Sequence, residues 1–370
     1  MAVYFNEGFA PVCSYDVNDG LLRKIAKEVQ LAANPNWTIH YPTDIEDVTN
    51  LLVLRHQLHG PENKTKDVFV EFYQPIFVQR LTAKGTALED VLNRKNYYYA
   101  EVVYGIGNYT PPDPEDDVDE DGYYTTPGAW EEDMASVRSR FSWFRHDTAS
   151  TIKKWLPVQF WVSLTDDVLS IVVAGDASAN KLDRLISFGY FGKIKPFKNS
   201  KERWSSNFGV TVGSDVPPND YLTQEEKNRY SDKTGTGVTD ICMLETFTGF
   251  PMQAHMAAFT TPDEFVDKKL EGPSNYTDKY HMSPVYVFHG FDGYRGELKG
   301  IVATDRSTVV NKDDLIHKYN SETGQEEDPD TQDIYKVFLV NAPYSFLTNA
   351  TNVMYGVAIL KKTEPYTEAE

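Results

Sequence analysis

The densest run of chemistry-bearing residues is Asp117-Val118-Asp119-Glu120-Asp121-Gly122. Carboxylates at alternate positions closed by a glycine match the first half of a calcium loop. Ca²⁺ takes about six to eight hard oxygen ligands, and the glycine permits the sharp turn that aims them inward. Asp117, Asp119 and Asp121 are therefore candidate Ca²⁺ ligands. The loop position where an EF-hand carries its bidentate Glu is Gly128 instead, and prolines surround the run. Glu131 and Glu132 would reach such an ion only along a different loop path. The motif is not an EF-hand. Two readings stand: a non-EF cation site, or a solvated acidic loop.

The other reactive residue types are scattered. The histidines are His40, His56, His59, His146, His255, His281, His289 and His317, and none lies in an H-E-x-x-H motif. His56 and His59 are three apart beside Gly60-Pro61, which fits a metal pair but equally fits surface or hydrogen-bonded histidines. Asp166-Asp167 offers two acids, as a glycosidase needs across a cleft. Adjacent acids between apolar runs are also ordinary turn residues. No nucleophile elbow, phosphate-binding loop or dinucleotide fingerprint occurs, and Gly235-Thr236-Gly237 is a turn fragment. Cys13 and Cys242 are far apart and have no partner at zinc or redox spacing. Two buried thiols are the expectation, with a single disulfide as the alternative. The aromatic clusters Tyr97-Tyr98-Tyr99, Tyr123-Tyr124 and Trp130 fit either a sugar platform or a subunit contact.

Composition narrows the class. The 370 residues carry a formal net charge of -19, which argues against nucleic acid, because a phosphate backbone needs a basic footprint. Such acidity suits a soluble particle component or a cation binder. The apolar fraction of 41% supports a real core, and 13% aromatic content favours strands and contact surfaces over helix bundles. The first residues, MAVYFNEGFAPVCSYD, lack the basic and apolar regions of a signal peptide, so cytoplasmic synthesis is expected. No apolar run approaches bilayer length, so no membrane insertion is expected. Five Asn-x-Thr sequons, at Asn36, Asn63, Asn108, Asn275 and Asn349, read as part of a polar surface.

These residues must be positioned by strands. The run 155–197 organises the chain: apolar stretches 158–164 and 168–174 flank Thr165-Asp166-Asp167 and read as a β-hairpin. A third run, 185–194, carries Phe188, Tyr190 and Phe191. Alternation within the hairpin places Phe160, Val162, Leu169, Ile171 and Val173 in one core and turns Trp161 the opposite way. Across the turn Leu164 should approach Leu169, and Val162 should approach Ile171. Upstream, 18–31 is the helix, with Leu21, Leu22, Ile25 and Val29 at helical spacing and Asn18 or Asp19 as cap. Strands are expected at 37–41, 48–55, 68–73 and 97–104, and a short helix at 87–93. The acidic, proline-bearing stretch 110–133 reads as a surface loop, a hinge, or an excursion within one domain. Further strands follow at 136–145, 208–212, 239–246, 253–259, 285–289, 298–303, 335–340 and 353–360. The polar stretches 216–237 and 321–332 interrupt them. The expected fold is mainly β with a small α+β N-terminal part, and an antiparallel sandwich or barrel-like sheet from about Ser136 onward. The expected division is 1–109, an acidic loop or hinge at 110–134, and a large β domain at 135–365, though one domain remains open.

One resemblance rests on the C-terminal half. HMSPVYV at 281–287, DGYRGELKGIVA at 292–303, VVNKDDLI at 309–316, YKVFLVNAPYSF at 335–346 and YGVAILKK at 355–362 carry it, with SFGYFGKIK at 187–195. Together with the N-terminal helix and strand, the chain resembles virion structural proteins of tailed bacteriophages that infect Gram-positive bacteria. The resemblance implies a tail, neck or baseplate component, located in the virion after synthesis in the host cytoplasm. Its partners would be other virion proteins and further copies of itself, and it would catalyse nothing. A module that binds a host-surface glycan is the alternative, and an unrecognised hydrolase is a distant third.

Overall fold

The computed structural model describes residues 3–11, 20–59, 65–74, 99–106, 109–119, 122–130, 136–142, 157–175, 186–197, 207–212, 242–245, 251–254, 257–258, 282–289, 293–304, 315–344 and 351–367. The first part contains β1 (Tyr4–Pro11), α1 (Leu21–Ala32), β2 (Trp37–Tyr41), β3 (Leu51–His59), β4 (Thr65–Tyr73), β5 (Tyr99–Ile106), β6 (Tyr109–Thr110), β7 (Ala129–Trp130) and β8 (Ser136–Ser142). The second contains β9 (Pro157–Leu164), β10 (Val168–Gly175), β11 (Ile186–Pro196), β12 (Asn207–Val212), β13 (Cys242–Glu245), β14 (Pro251–Ala254) and β15 (Ala257–Ala258). It ends with β16 (Met282–His289), β17 (Gly293–Thr304), β18 (Leu315–Tyr319), β19 (Thr331–Tyr344) and β20 (Thr351–Pro365).

The protein is mostly β, and its sheets are antiparallel, as the sequence leads one to expect. The smaller sheet runs β2-β3-β4-β5-β8 and the larger follows the path β1-β9-β10-β11-β17-β20-β19-β18. The larger sheet does not close into a barrel. Its two halves meet where Ile194, Lys195 and Pro196 pair with Leu298, Glu297 and Gly296. The chain therefore stacks in layers, with β1-β9-β10-β11 in the middle.

The middle layer is apolar on both faces, which its near-continuous hydrophobic runs require. On one face Phe160, Val162, Leu169 and Ile171 pack with Val70 and Phe72 of the smaller sheet, and with α1. On the other, Trp161, Val172 and Phe188 pack with Ile301, Phe338 and Ile359 of the third layer. The expected register is observed: Leu164 faces Leu169, and Val162 faces Ile171. Trp161 lies against Phe338 with ring centroids 4.8 Å apart.

Helix α1 buries Leu21, Leu22, Ile25, Ala26 and Val29 in the first core. Burying such side chains stabilises by about 1.5–3 kcal/mol for each large one. The cap differs from expectation: it is Gly20, with no side-chain cap bond, and Asn18 and Asp19 lie outside the described residues. Two polar residues of α1 are buried too. Arg23 donates through Nε to the carbonyl of Val48 at 3.1 Å, and Glu28 accepts from the Tyr4 hydroxyl at 2.5 Å and from Asn6 at 2.8 Å. The helix is thereby keyed to β1 on one side and to the start of β3 on the other.

Sheet membership does not divide at the acidic stretch. β8, which follows it, pairs with β5, and β1, at the start of the chain, pairs with β9. β1 and β18 were not anticipated as strands, whereas most other strands fall within a few residues of their expected positions. The helix expected at 87–93, the stretch 216–237 and Cys13 lie outside the described residues.

The double-sided core generates two expectations. Ile171→Ala should destabilise the protein by about 2–5 kcal/mol, the range for deleting a fully buried branched side chain. Trp161→Ala should do so by about 3–5 kcal/mol by opening the other core face. Denaturant unfolding of both variants checks this, and an Ile171→Ala protein that unfolds like the wild type would contradict the layering.

Candidate functional site

The densest polar constellation lies at the β9–β10 turn, where three parts of the chain converge. Thr165 closes the turn, its N–H donating to the Val168 carbonyl at 2.8 Å and its Oγ accepting from the Val168 N–H at 3.1 Å. This leaves Asp166 and Asp167 at the tip. The Asp166 carbonyl accepts from Asn36 Nδ2 at 3.1 Å and faces His56 Nε2 at 3.2 Å. The Asp166 carboxylate accepts from Asn34 Nδ2 at 3.0 Å. Asp167 sits between two ammonium groups, 2.6 Å from Lys299 Nζ and 3.3 Å from Lys193 Nζ.

The backbone of β11 is shaped to receive this turn. The Asp167 carbonyl accepts from the Lys193 N–H at 2.9 Å. Gly192 has φ +136, and a Cβ there would stand 2.1 Å from that carbonyl, so only glycine permits the approach. The buried Tyr190 hydroxyl donates to the Lys193 carbonyl at 2.6 Å and accepts from the Lys299 N–H at 3.1 Å. Lys193 and Lys299, on strands of different layers, are thus both held against the turn.

The electrostatics follow from this geometry. Burial raises the pKa of Asp167, but hydrogen bonds and charge from Lys299 and then Lys193 outweigh it and hold the carboxyl below its usual value. His56 stacks flat on Trp37 at 4.2 Å. Burial pushes its pKa from 6.5 down to about 4; the Asp166 carbonyl opposes that shift and Lys193 adds to it. The imidazole is neutral at physiological pH, its Nε2–H donating to Asp166, and its Nδ1 has no hydrogen-bond partner. The turn is therefore a junction with a fixed anion, two fixed cations and a neutral imidazole. It can tie layers together, and its carboxylate keeps its charge.

A second buried polar point lies on the outer face of the smaller sheet. Glu71 is fully buried and accepts from the Tyr109 hydroxyl at 2.6 Å and from the Gly128 N–H at 2.9 Å. One carboxylate thus grips both ends of the acidic segment, which pair as β6 and β7. Between them Tyr124 packs with Leu51, Val53 and Tyr73, and the Asn50 side chain bonds the Tyr124 backbone at both N–H and carbonyl. Described parts of the expected loop or hinge thus cover a sheet face.

The expected site residues fall as follows. Asp117 Oδ2 accepts from the Asp113 N–H at 2.8 Å, and Asp119 Oδ1 from the Tyr123 N–H at 2.8 Å. Gly122 has φ +86 and closes the Asp119 turn through its N–H at 3.0 Å. Asp121 lies outside the described residues. Among the described residues no group of three or more His, Cys, Asp or Glu is placed to hold a metal ion. His56 and His59 are not joined at a metal position: His56 faces Asp166, and His59 Nε2 lies 3.2 Å from Asn36 Oδ1. Tyr123 and Tyr124 are buried, which removes them from any exposed sugar platform, while Tyr97 and Tyr98 lie outside the described residues. Among the described residues no helix is long and apolar enough to cross a membrane. No family model, curated protein or solved structure matches the chain.

Sequence reading weighed Asp166-Asp167 and His56, but missed Lys193, Lys299, Asn34 and Glu71. Glu71 did leave a signal: it is the lone charge in the strand run VFVEFY. The two lysines left none, since their meeting depends on the β11–β17 junction.

Two outcomes follow. The His56 pKa is depressed on folding, so the unfolded chain binds the proton first as pH falls. Its contribution, about 3 kcal/mol at full depression, is present above pH 6.5 and is lost down to about pH 4. The stability of His56→Gln should therefore vary less with pH across that window than the wild type's, and equal slopes would refute the assignment. Asp119→Ala should cost about 1 kcal/mol, one hydrogen bond, with or without CaCl₂. A difference that appears only with CaCl₂ would assign the loop to the cation instead.

Proposed function

We propose that the chain is a structural subunit of a phage or phage-tail-like particle, acting through protein–protein contacts and without turnover. The observation that carries the assembly reading is at the two strands ending the path of the larger sheet. Phe9 on β1 is 60% exposed and Ile316 on β18 is 53% exposed. Edge strands of monomeric proteins are usually blunted by charge or by covering elements. Lys318, the one cation of β18, instead folds back on Tyr366, donating to its hydroxyl at 3.0 Å with the ammonium 4.1 Å from the ring centroid. Large apolar side chains at both ends of one sheet suit contacts with neighbouring subunits, and a head-to-tail contact of that kind builds rings or filaments.

The interior polar groups support the same reading. Asp167 is held by two lysines, and Glu71 by Tyr109 and Gly128, so each carboxylate ties separate segments of the chain together. The particle itself is proposed from the resemblance of the C-terminal half, and with it residence in the virion after synthesis in a host cytoplasm. Other virion proteins and further copies of this chain are the proposed partners.

Light scattering over a concentration series tests this. The wild type should exceed the 42.1 kDa of one chain, and Phe9→Glu with Ile316→Lys should return it to that mass without lowering its melting temperature. A wild type that stays monomeric throughout, and that purified particles do not contain, would sink the proposal.

A further inference from the structure

We propose that β18 of one molecule pairs edge to edge and antiparallel with β1 of a second copy, setting Ile316 opposite Phe9 and Lys318 opposite Glu7. The proposal rests on the assembly reading above and deepens it by fixing the partner strand, its direction and its register.

The topology sets the direction. β1 and β18 end the path of the larger sheet, and among the described residues each pairs with one strand only. An edge of that kind presents backbone groups to which another chain can add. Every pairing along the path is antiparallel. Over the eight strands of the path, β1 and β18 therefore run in opposite senses. A second copy that continues the sheet in the same orientation brings its β1 antiparallel to β18.

The faces also agree. Phe5 packs in the core that holds Trp161, and Glu7 Oε2 accepts from Trp161 Nε1 at 2.9 Å. Phe5, Glu7 and Phe9 therefore share the face of β1 turned to that core. On the third layer Phe338 and Ile359 face the same core, whereas Tyr335, Val337 and Leu315 are buried on the reverse side. Leu315 pairs with Tyr335, so Ile316 and Lys318, which alternate with it, lie on the side of Phe338. Residues directly opposed across a ladder must share a face, and these do.

The exposed side chains pick the register. Glu7 and Phe9 are exposed on β1, as are Ile316 and Lys318 on β18. In an antiparallel ladder the two numberings run opposite ways, so Ile316 against Phe9 brings Lys318 against Glu7. On the other face Leu315 then meets Ala10, His317 meets Gly8 and Tyr319 meets Asn6. Pro11, which has no N–H to give, falls past the end of β18. A slip of two residues would set Ile316 against Glu7 or Pro11, and a slip of one would turn the exposed set to the wrong face. The apolar pair supplies the contact, and the charges specify its register. Both charges can meet without giving up their present bonds. The Lys318 ammonium carries three donors and gives one to Tyr366, while the Glu7 carboxylate has two oxygens and Trp161 engages one.

Charge reversal and cross-linking of the full chain test the proposal. By light scattering, Glu7→Lys and Lys318→Glu should each raise the concentration needed for association by about tenfold, and the double variant should restore the wild-type value to within about twofold. Under mild oxidation, a mixture of Phe9→Cys and Ile316→Cys proteins should give covalent dimers well beyond those that either variant or the wild type gives alone. Association that survives both single reversals, or cross-links that either cysteine variant forms alone as readily as the mixture, would overturn this pairing and leave the assembly reading standing. A wild type that stays monomeric and is absent from particles would overturn both. Lys318→Glu changes an exposed side chain, so a folded variant is expected even if Glu7→Lys, which loses the Trp161 bond, unfolds.

Discussion

Burial of the middle layer on both faces is the constraint on which the rest of the structure depends. Strands β9, β10 and β11 place apolar side chains alternately against the smaller sheet with α1 and against the third layer. A strand covered on both sides has nowhere to put a charge except at its ends. Its backbone groups must be paired in the ladder, because water cannot serve them. The two acids of the β9–β10 hairpin therefore stand at its turn, while buried Ser163, Ser170 and Ser187 are the small polar residues within the strands. Asp166 and Asp167 are those acids, and the neighbouring layers meet them there.

The turn and the Glu71 clasp do similar mechanical work under different physical terms. The Asp167 ion pairs are partly exposed, so each stabilises little, and their value lies in holding β11 and β17 against one turn. Glu71 is fully buried, where removing a partner costs more than the pair contributes, because a charge is left in a medium of low dielectric. It thereby holds the acidic segment in one place on the sheet. The strongly acidic stretch is anchored by its aromatic residues and by a carboxylate beneath them, while Asp113, Asp117 and Asp119 close its turns.

This division leaves exposed apolar groups at the periphery. Within the layers, Arg23, Glu28, Asn50 and Asp167 all have hydrogen-bond or charge partners. At the sheet's ends stand Phe9 and Ile316, exposed and apolar.

The sequence by itself determined the local and periodic features. The hairpin, its register and the opposition of Trp161 to Phe160 and Val162 follow from apolar runs about a two-residue turn, because side-chain direction alternates strictly along a strand. The amphipathic helix and the two-sided strand β4 were legible for the same reason, as was the predominance of antiparallel β structure. Edge strands were not: YFNEGFAP and LIHKY carry weak patterns, and each became a strand because a neighbour supplied the ladder. Tyr123 and Tyr124 read as a sugar platform or a subunit contact, whereas both are buried on the sheet face beneath them. Only the tertiary structure decided which charges met. Lys299 reaches Asp167, and Tyr109 reaches Glu71, through pairings between distant segments. Such meetings depend on how layers stack, which local sequence pattern does not encode.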